Sequence, residues 1–131
     1  MLGGYRLIRN GAVKPEAIRD GGFGSVAKQA QRQGLLLAVE DTTSIGHTHA
    51  VAAELGTTSS NQDAKRNGFL AHSVLLLDAV GEQTIGLIAQ HHGCRDRAHY
   101  GKKHRRKQRP YEDKESHKRE QASVQTAKRL G

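Results

Sequence analysis

The alternation of apolar and polar positions divides the chain into a helical front, three apolar runs and a polar, basic tail. Residues 4–33 read as short helices. Gly4–Asn10 forms a turn or two, closed by Asn10-Gly11. Pro15 suits the first position of a helix over Glu16–Asp20, which Gly21-Gly22 stops, and Ser25 caps a third over Val26–Gln33, which Gly34 ends. Residues 35–39, Leu-Leu-Leu-Ala-Val, are continuously apolar, the pattern of a strand covered on both faces. Glu40-Asp41-Thr42-Thr43-Ser44 follows at once and places polar side chains at the end of that strand. Residues 48–56 suggest a short helix or ordered loop, and 57–67 a polar loop. The runs 69–79 and 83–90, joined by Val80-Gly81-Glu82, predict a hairpin. Glu112–Leu130 contains no Pro or Gly and predicts a helix with a thin apolar face of Ala122, Val124, Ala127 and Leu130.

Composition narrows the function classes. A length of 131 residues allows one domain. No apolar run approaches the about 18–20 residues that span a bilayer, and Met1–Asn10 has no signal core. Cys94 is the only cysteine, which excludes an intrachain disulfide and a cysteine-based zinc finger and suits a reducing, cytoplasmic setting. The formal charge of +8 resides in the tail: residues 1–92 carry 8 Lys+Arg and 8 Asp+Glu, whereas 93–131 carry 13 and 5. The peak is Lys102-Lys103-His104-Arg105-Arg106-Lys107-Gln108-Arg109, within a basic loop over 93–111. Such clustering attracts nucleic-acid phosphates by counterion release. Only Tyr100 and Tyr111 flank it, which favours backbone contact over base stacking.

Other candidate chemistry is weaker. Gly21-Gly22-Phe23-Gly24 has neither the preceding strand nor the following Lys-Ser/Thr of a phosphate loop and reads as a helix-breaking linker. His91, His92, Cys94 and His99 could hold a soft metal, but their spacing matches no common structural zinc pattern. His47 and His49 read as ordinary loop histidines, and no serine sits in a nucleophile-elbow setting.

The segment Leu37-Ala38-Val39-Glu40-Asp41-Thr42-Thr43-Ser44 resembles the first catalytic motif of the Tn-five-type transposases, within the insertion-sequence-four group of DDE transposases. The likeness extends colinearly through Tyr5-Arg6-Leu7-Ile8-Arg9-Asn10, Glu16-Ala17-Ile18-Arg19, Val51–Gly56, His72–Leu77, Thr84–Ile88 and Glu112–Ser116. It implies an α/β architecture: a partial RNase H-like fold of three mostly antiparallel strands plus helices, preceded by short N-terminal helices. Residues 1–34 would belong to the N-terminal DNA-binding region. Residues 35–131 would be the first part of the catalytic core, with strand one at about 35–41 and its closing helix at 112–130.

In that family three carboxylates, Asp, Asp and Glu, hold Mg²⁺ (or Mn²⁺) for cleavage and strand transfer at transposon ends, and Asp41 matches the first. Hard cations take oxygen ligands, and a carboxylate on a rigid strand supplies one in a fixed position. The resemblance places the second Asp and the Glu beyond Gly131 and a further helical region ahead of Tyr5. The expectation is therefore an internal, truncated piece of a transposase, without turnover by itself. The expected partners are DNA and a full-length transposase as dimer mate, with no membrane, in a bacterial cytoplasm and on the nucleoid when DNA-bound. Arg6 and Arg9 would face transposon-end DNA by family likeness, and Lys102, Lys103, Arg105, Arg106, Lys107 and Arg109 would bind DNA by charge. The alternatives are a small basic nucleic-acid-binding protein without catalysis and a zinc module.

Overall fold

A computed structural model describes residues 2–58, 67–95 and 110–131. In chain order these form helix α1 (Leu2–Arg9), helix α2 (Pro15–Ala30), strand β1 (Leu36–Gly46), a 3-10 turn at Ala50–Glu54, strands β2 (Gly68–Asp78) and β3 (Gln83–Gly93), a 3-10 turn at Tyr111–Asp113 and helix α3 (Glu115–Leu130). The fold is α/β, with one antiparallel sheet in the order β1-β2-β3. None of the described helices is long and apolar enough to cross a membrane.

The core lies on one face of the sheet. Val74 and Leu76 of β2 and Ile88 and Ala89 of β3 pack with Ala27 and Ala30 of α2 and Ala122 of α3. It is a thin core: Leu76, Ile88 and Val74 are its largest fully buried side chains. Gly86 (φ +149°) allows close approach of α2, because a Cβ there would lie 2.8 Å from a Val26 methyl carbon. Arg129 of α3 fastens the joint from the other side. Its guanidinium lies 4.6 Å from the Phe23 ring centroid and donates to the Ile88 carbonyl at 2.8 Å.

Four sequence expectations are corrected. Residues 15–30 form one continuous helix, not two interrupted at Gly21-Gly22. Each glycine costs about 1 kcal/mol relative to alanine in a helix interior, but Phe23, Ala27 and Ala30 recur at helical spacing and bury against the sheet, which carries the helix through the glycines. The strand expected at 35–41 runs on to Gly46, because Thr42–Ile45 continue the β2 ladder without a break. Asp41 therefore stands at mid-strand and not at a strand end. The strand is not covered on both faces: Leu37 and Val39 are about half exposed. Finally, the buried stripe of α3 contains Ala122 and Thr126, with Leu130 half-buried, whereas Val124 and Ala127 are exposed. That stripe follows the i, i+4, i+8 repeat, which places Thr126 against the core.

The hairpin is seen where the apolar runs predict it. Its turn is closed by the Val80 amide donating to the Asp78 carboxylate at 3.0 Å. The left-handed residue of that turn is Glu82 (φ 51°), not Gly81.

Candidate functional site

Register decides which face each strand residue occupies. Side chains alternate along a strand, and directly paired residues share a face. Glu40 pairs with Val74, Thr42 with His72 and Ser44 with Leu70, so these residues lie on the helix-covered face. The Ser123 hydroxyl of α3 donates to Glu40 at 2.7 Å, as that placement requires. Asp41 pairs with Ser73 and therefore lies on the opposite face, as do Leu37, Val39, Thr43 and Ile45.

Asp41 is exposed and accepts a hydrogen bond from the Thr43 hydroxyl at 3.2 Å. Ser73 pairs in turn with Gln90, whose side-chain amide donates to the Ser73 hydroxyl at 3.0 Å. Asp41, Ser73 and Gln90 thus make a polar row across three strands. The adjoining row, Val39, Leu75 and Leu87, is apolar. The row holds one carboxylate, and its neighbours are hydroxyls and a neutral amide. Among the described residues no three His, Cys, Asp or Glu side chains come together as a metal-binding group. A two-metal centre of Mg²⁺ or Mn²⁺ needs several converging carboxylates, so the described residues do not fit that centre by themselves.

The other sequence candidates are scattered. Arg6 and Arg9 lie on α1, where Gly3–Arg9 are all exposed, and the Arg9 guanidinium sits 5.1 Å from the Tyr5 ring centroid. Lys102, Lys103, Arg105, Arg106, Lys107 and Arg109 lie outside the described residues, as does His99. His91 and His92 are successive on β3. His91 pairs with His72 on the helix face, whereas His92 pairs with Ala71 on the other and meets the Phe69 ring edge-on at 5.3 Å. The strand alternation therefore separates His91 from His92 and divides the group in which a soft metal could sit.

Sequence reasoning missed a polar cluster on the helix face. His72 is buried, and its Nδ1 lies 2.8 Å from the Thr42 hydroxyl. Its Nε2 has no hydrogen-bond partner, the nearest carboxylate oxygen being that of Glu40 at 3.6 Å. His91, beside it, also has an unpartnered Nε2. Burial, followed by the neighbouring His72, Arg129 and Arg19, pushes the His91 imidazole below its usual pKa, against a hydrogen bond with Gln125. The available signal was the period-two alternation Glu40-x-Thr42-x-Ser44 opposite Leu70-x-His72-x-Val74. It becomes readable only when the pairing register is known.

No family model matches the chain.

Proposed function

We propose that this chain is a segment of a DDE transposase of the Tn-five type, the first part of an RNase H-like core that serves DNA transposition. In this reading Asp41 is the first of the three metal-binding carboxylates, and the basic stretch over 102–109 holds the DNA backbone. The observation that supports it best is the position of Asp41. It stands exposed at the middle of β1, the outer strand of a three-stranded antiparallel meander that is followed by a helix. A strand pinned along one ladder is a rigid mount for a ligand, and the exposed face on which Asp41 stands leaves the carboxylate approachable. Catalysis of strand cleavage and transfer needs two further carboxylates beside Asp41, which the described residues do not bring to it.

Paramagnetic Mn²⁺ added to the labelled chain tests the metal role. Broadening should centre on Asp41, Thr43, Ser73 and Gln90 and disappear in Asp41→Asn. Broadening that is absent, or unchanged by the substitution, overturns it. DNA binding is tested separately by anisotropy with a duplex across a salt series, where several Lys/Arg–phosphate contacts give a steep fall in affinity. Replacing Lys102, Lys103, Arg105 and Arg106 by Ala should abolish binding, and Asp41→Asn should leave it intact. DNA binding with no Mn²⁺ effect would select the second reading, a basic nucleic-acid binder without catalysis. That reading is favoured by the concentration of the whole net charge in residues 93–131.

A further inference from the structure

The helix-covered face of the sheet holds a cavity of about 320 Å³ under the first turns of α3. Thr42 and Ser44 of β1, His72 of β2, His91 of β3, and Lys118 and Arg119 of α3 line it. We propose that this cavity is a binding site for a phosphate group, separate from Asp41, which lies on the opposite face of the sheet.

Its charge is one-sided. Lys118, Arg119 and Arg95 contribute to the wall, and no carboxylate lines it among the described residues. Arg95 is held in place by donating to the Thr58 carbonyl at 2.9 Å. Lys118 and Arg119 are exposed, and Lys118 Nζ reaches over Gly93, 2.8 Å from where a Cβ on that glycine would stand. The floor offers a neutral donor, the Ser44 hydroxyl, on the face of β1 that it shares with Thr42.

His72 and His91, which both line the cavity, supply a further argument. His72 is 6% exposed, and its Nε2 has no hydrogen-bond partner. When the Thr42 hydroxyl donates to Nδ1, the imidazole proton sits on Nε2 and wants an acceptor. Glu40 at 3.6 Å is too distant for a hydrogen bond and already accepts from Ser123. A buried polar atom left without a partner is unfavourable, and His91 Nε2 is a second such atom one strand away. An oxyanion in the cavity would meet the cations above and stand beside the imidazoles of His72 and His91 that line it. The cavity is at the lower limit of ligand sites, about 300–1,000 Å³, which suits one phosphate group with a little of what it is attached to. The phosphate could belong to a nucleic-acid backbone or to a small phosphate ester; the chemistry of recognition is the same.

The test uses the full chain, labelled for NMR, with inorganic phosphate as the probe against a matched chloride control. The side-chain resonances of His72 and His91 should shift saturably. The double substitution Lys118→Ala/Arg119→Ala, at two exposed positions, should raise the dissociation constant about tenfold or more, because it removes the charge-assisted hydrogen bonds. Circular dichroism checks that the variant remains folded. A shift that fails to saturate, or a dissociation constant unchanged in the folded double variant, overturns the proposal. A DNA duplex forms the second arm. Displacement of phosphate by the duplex at these same histidines sustains the site and identifies a backbone phosphodiester. Saturable phosphate binding that the duplex leaves untouched sustains it as a site for a small phosphate ester. The Mn²⁺ experiment reads the other face of the sheet, so the two proposals fail separately.

Discussion

Truncating Leu76 and Leu37 to alanine, one at a time, decides which face of the sheet holds the molecule together. The two leucines are the same residue type on paired strands of one sheet, but they face opposite ways. Leu76 is fully buried among α2, α3 and β3, and Leu37 is 50% exposed. Each substitution removes three carbon atoms, worth about 0.8 kcal/mol apiece on complete burial, so about 2.4 kcal/mol of transfer free energy is at stake. For Leu76 the full amount is lost and a cavity is left, which brings the expected cost to about 3–5 kcal/mol. For Leu37 half the surface is already in water and no cavity forms, so about 1 kcal/mol is expected. A small domain is stable by about 5–15 kcal/mol, and a core whose largest fully buried side chains among the described residues are Leu76, Ile88 and Val74 belongs at the lower end. Leu76→Ala should therefore unfold at a markedly lower urea concentration, or be unfolded in buffer, whereas Leu37→Ala should stay close to the parent. Urea titration followed by far-UV circular dichroism reads both. Equal costs, or a larger cost at Leu37, would refute the assignment of the core to the helix-covered face.

Three further outcomes follow from the same structure. Gly86→Ala should destabilise by about 1–3 kcal/mol, read by urea titration, because the positive φ strains any side chain and the new methyl meets Val26. The His91 imidazole titrates lower in the folded chain than its unfolded reference of about 6.5. The unfolded chain then binds more protons in the window below that value, so the His91 contribution is complete above pH about 6.5 and is lost progressively as pH falls through it. His91→Gln should flatten the fall in stability between neutral pH and pH about 5; an unchanged slope would refute the assignment. Val39→Lys, on the exposed side of the outer strand, should suppress concentration-dependent association in sedimentation velocity, since charge on an edge strand opposes pairing between chains.

The sequence was informative wherever local pattern and tertiary packing agree. The β2–β3 hairpin is legible because two apolar runs flank a short turn containing glycine, and α3 because Glu112–Leu130 contains no helix breaker. The continuity of α2 was not legible, because three local glycine penalties are outweighed by Phe23, Ala27 and Ala30 meeting a sheet formed much later in the chain. The end of β1 is not legible in the sequence, because Thr42, Thr43 and Ser44 look like loop residues until β2 offers them a ladder. Asp41 stands out by its surroundings in sequence, but its row with Ser73 and Gln90 depends on register alone. The pairing of His72 with His91 was hidden for the same reason, since the eye groups neighbours in sequence whereas the sheet groups partners across strands.

β1 ends the sheet, and among the described residues its second ladder edge has no strand against it. Adjacent strands in a sheet stand about 4.8 Å apart. Anything that zips onto this border therefore brings its own side chains into the immediate vicinity of the Asp41 carboxylate while satisfying the amides and carbonyls along the rim. A mate that paired there would change the environment of Asp41 in the same event, to an extent set by how much of that mate is present.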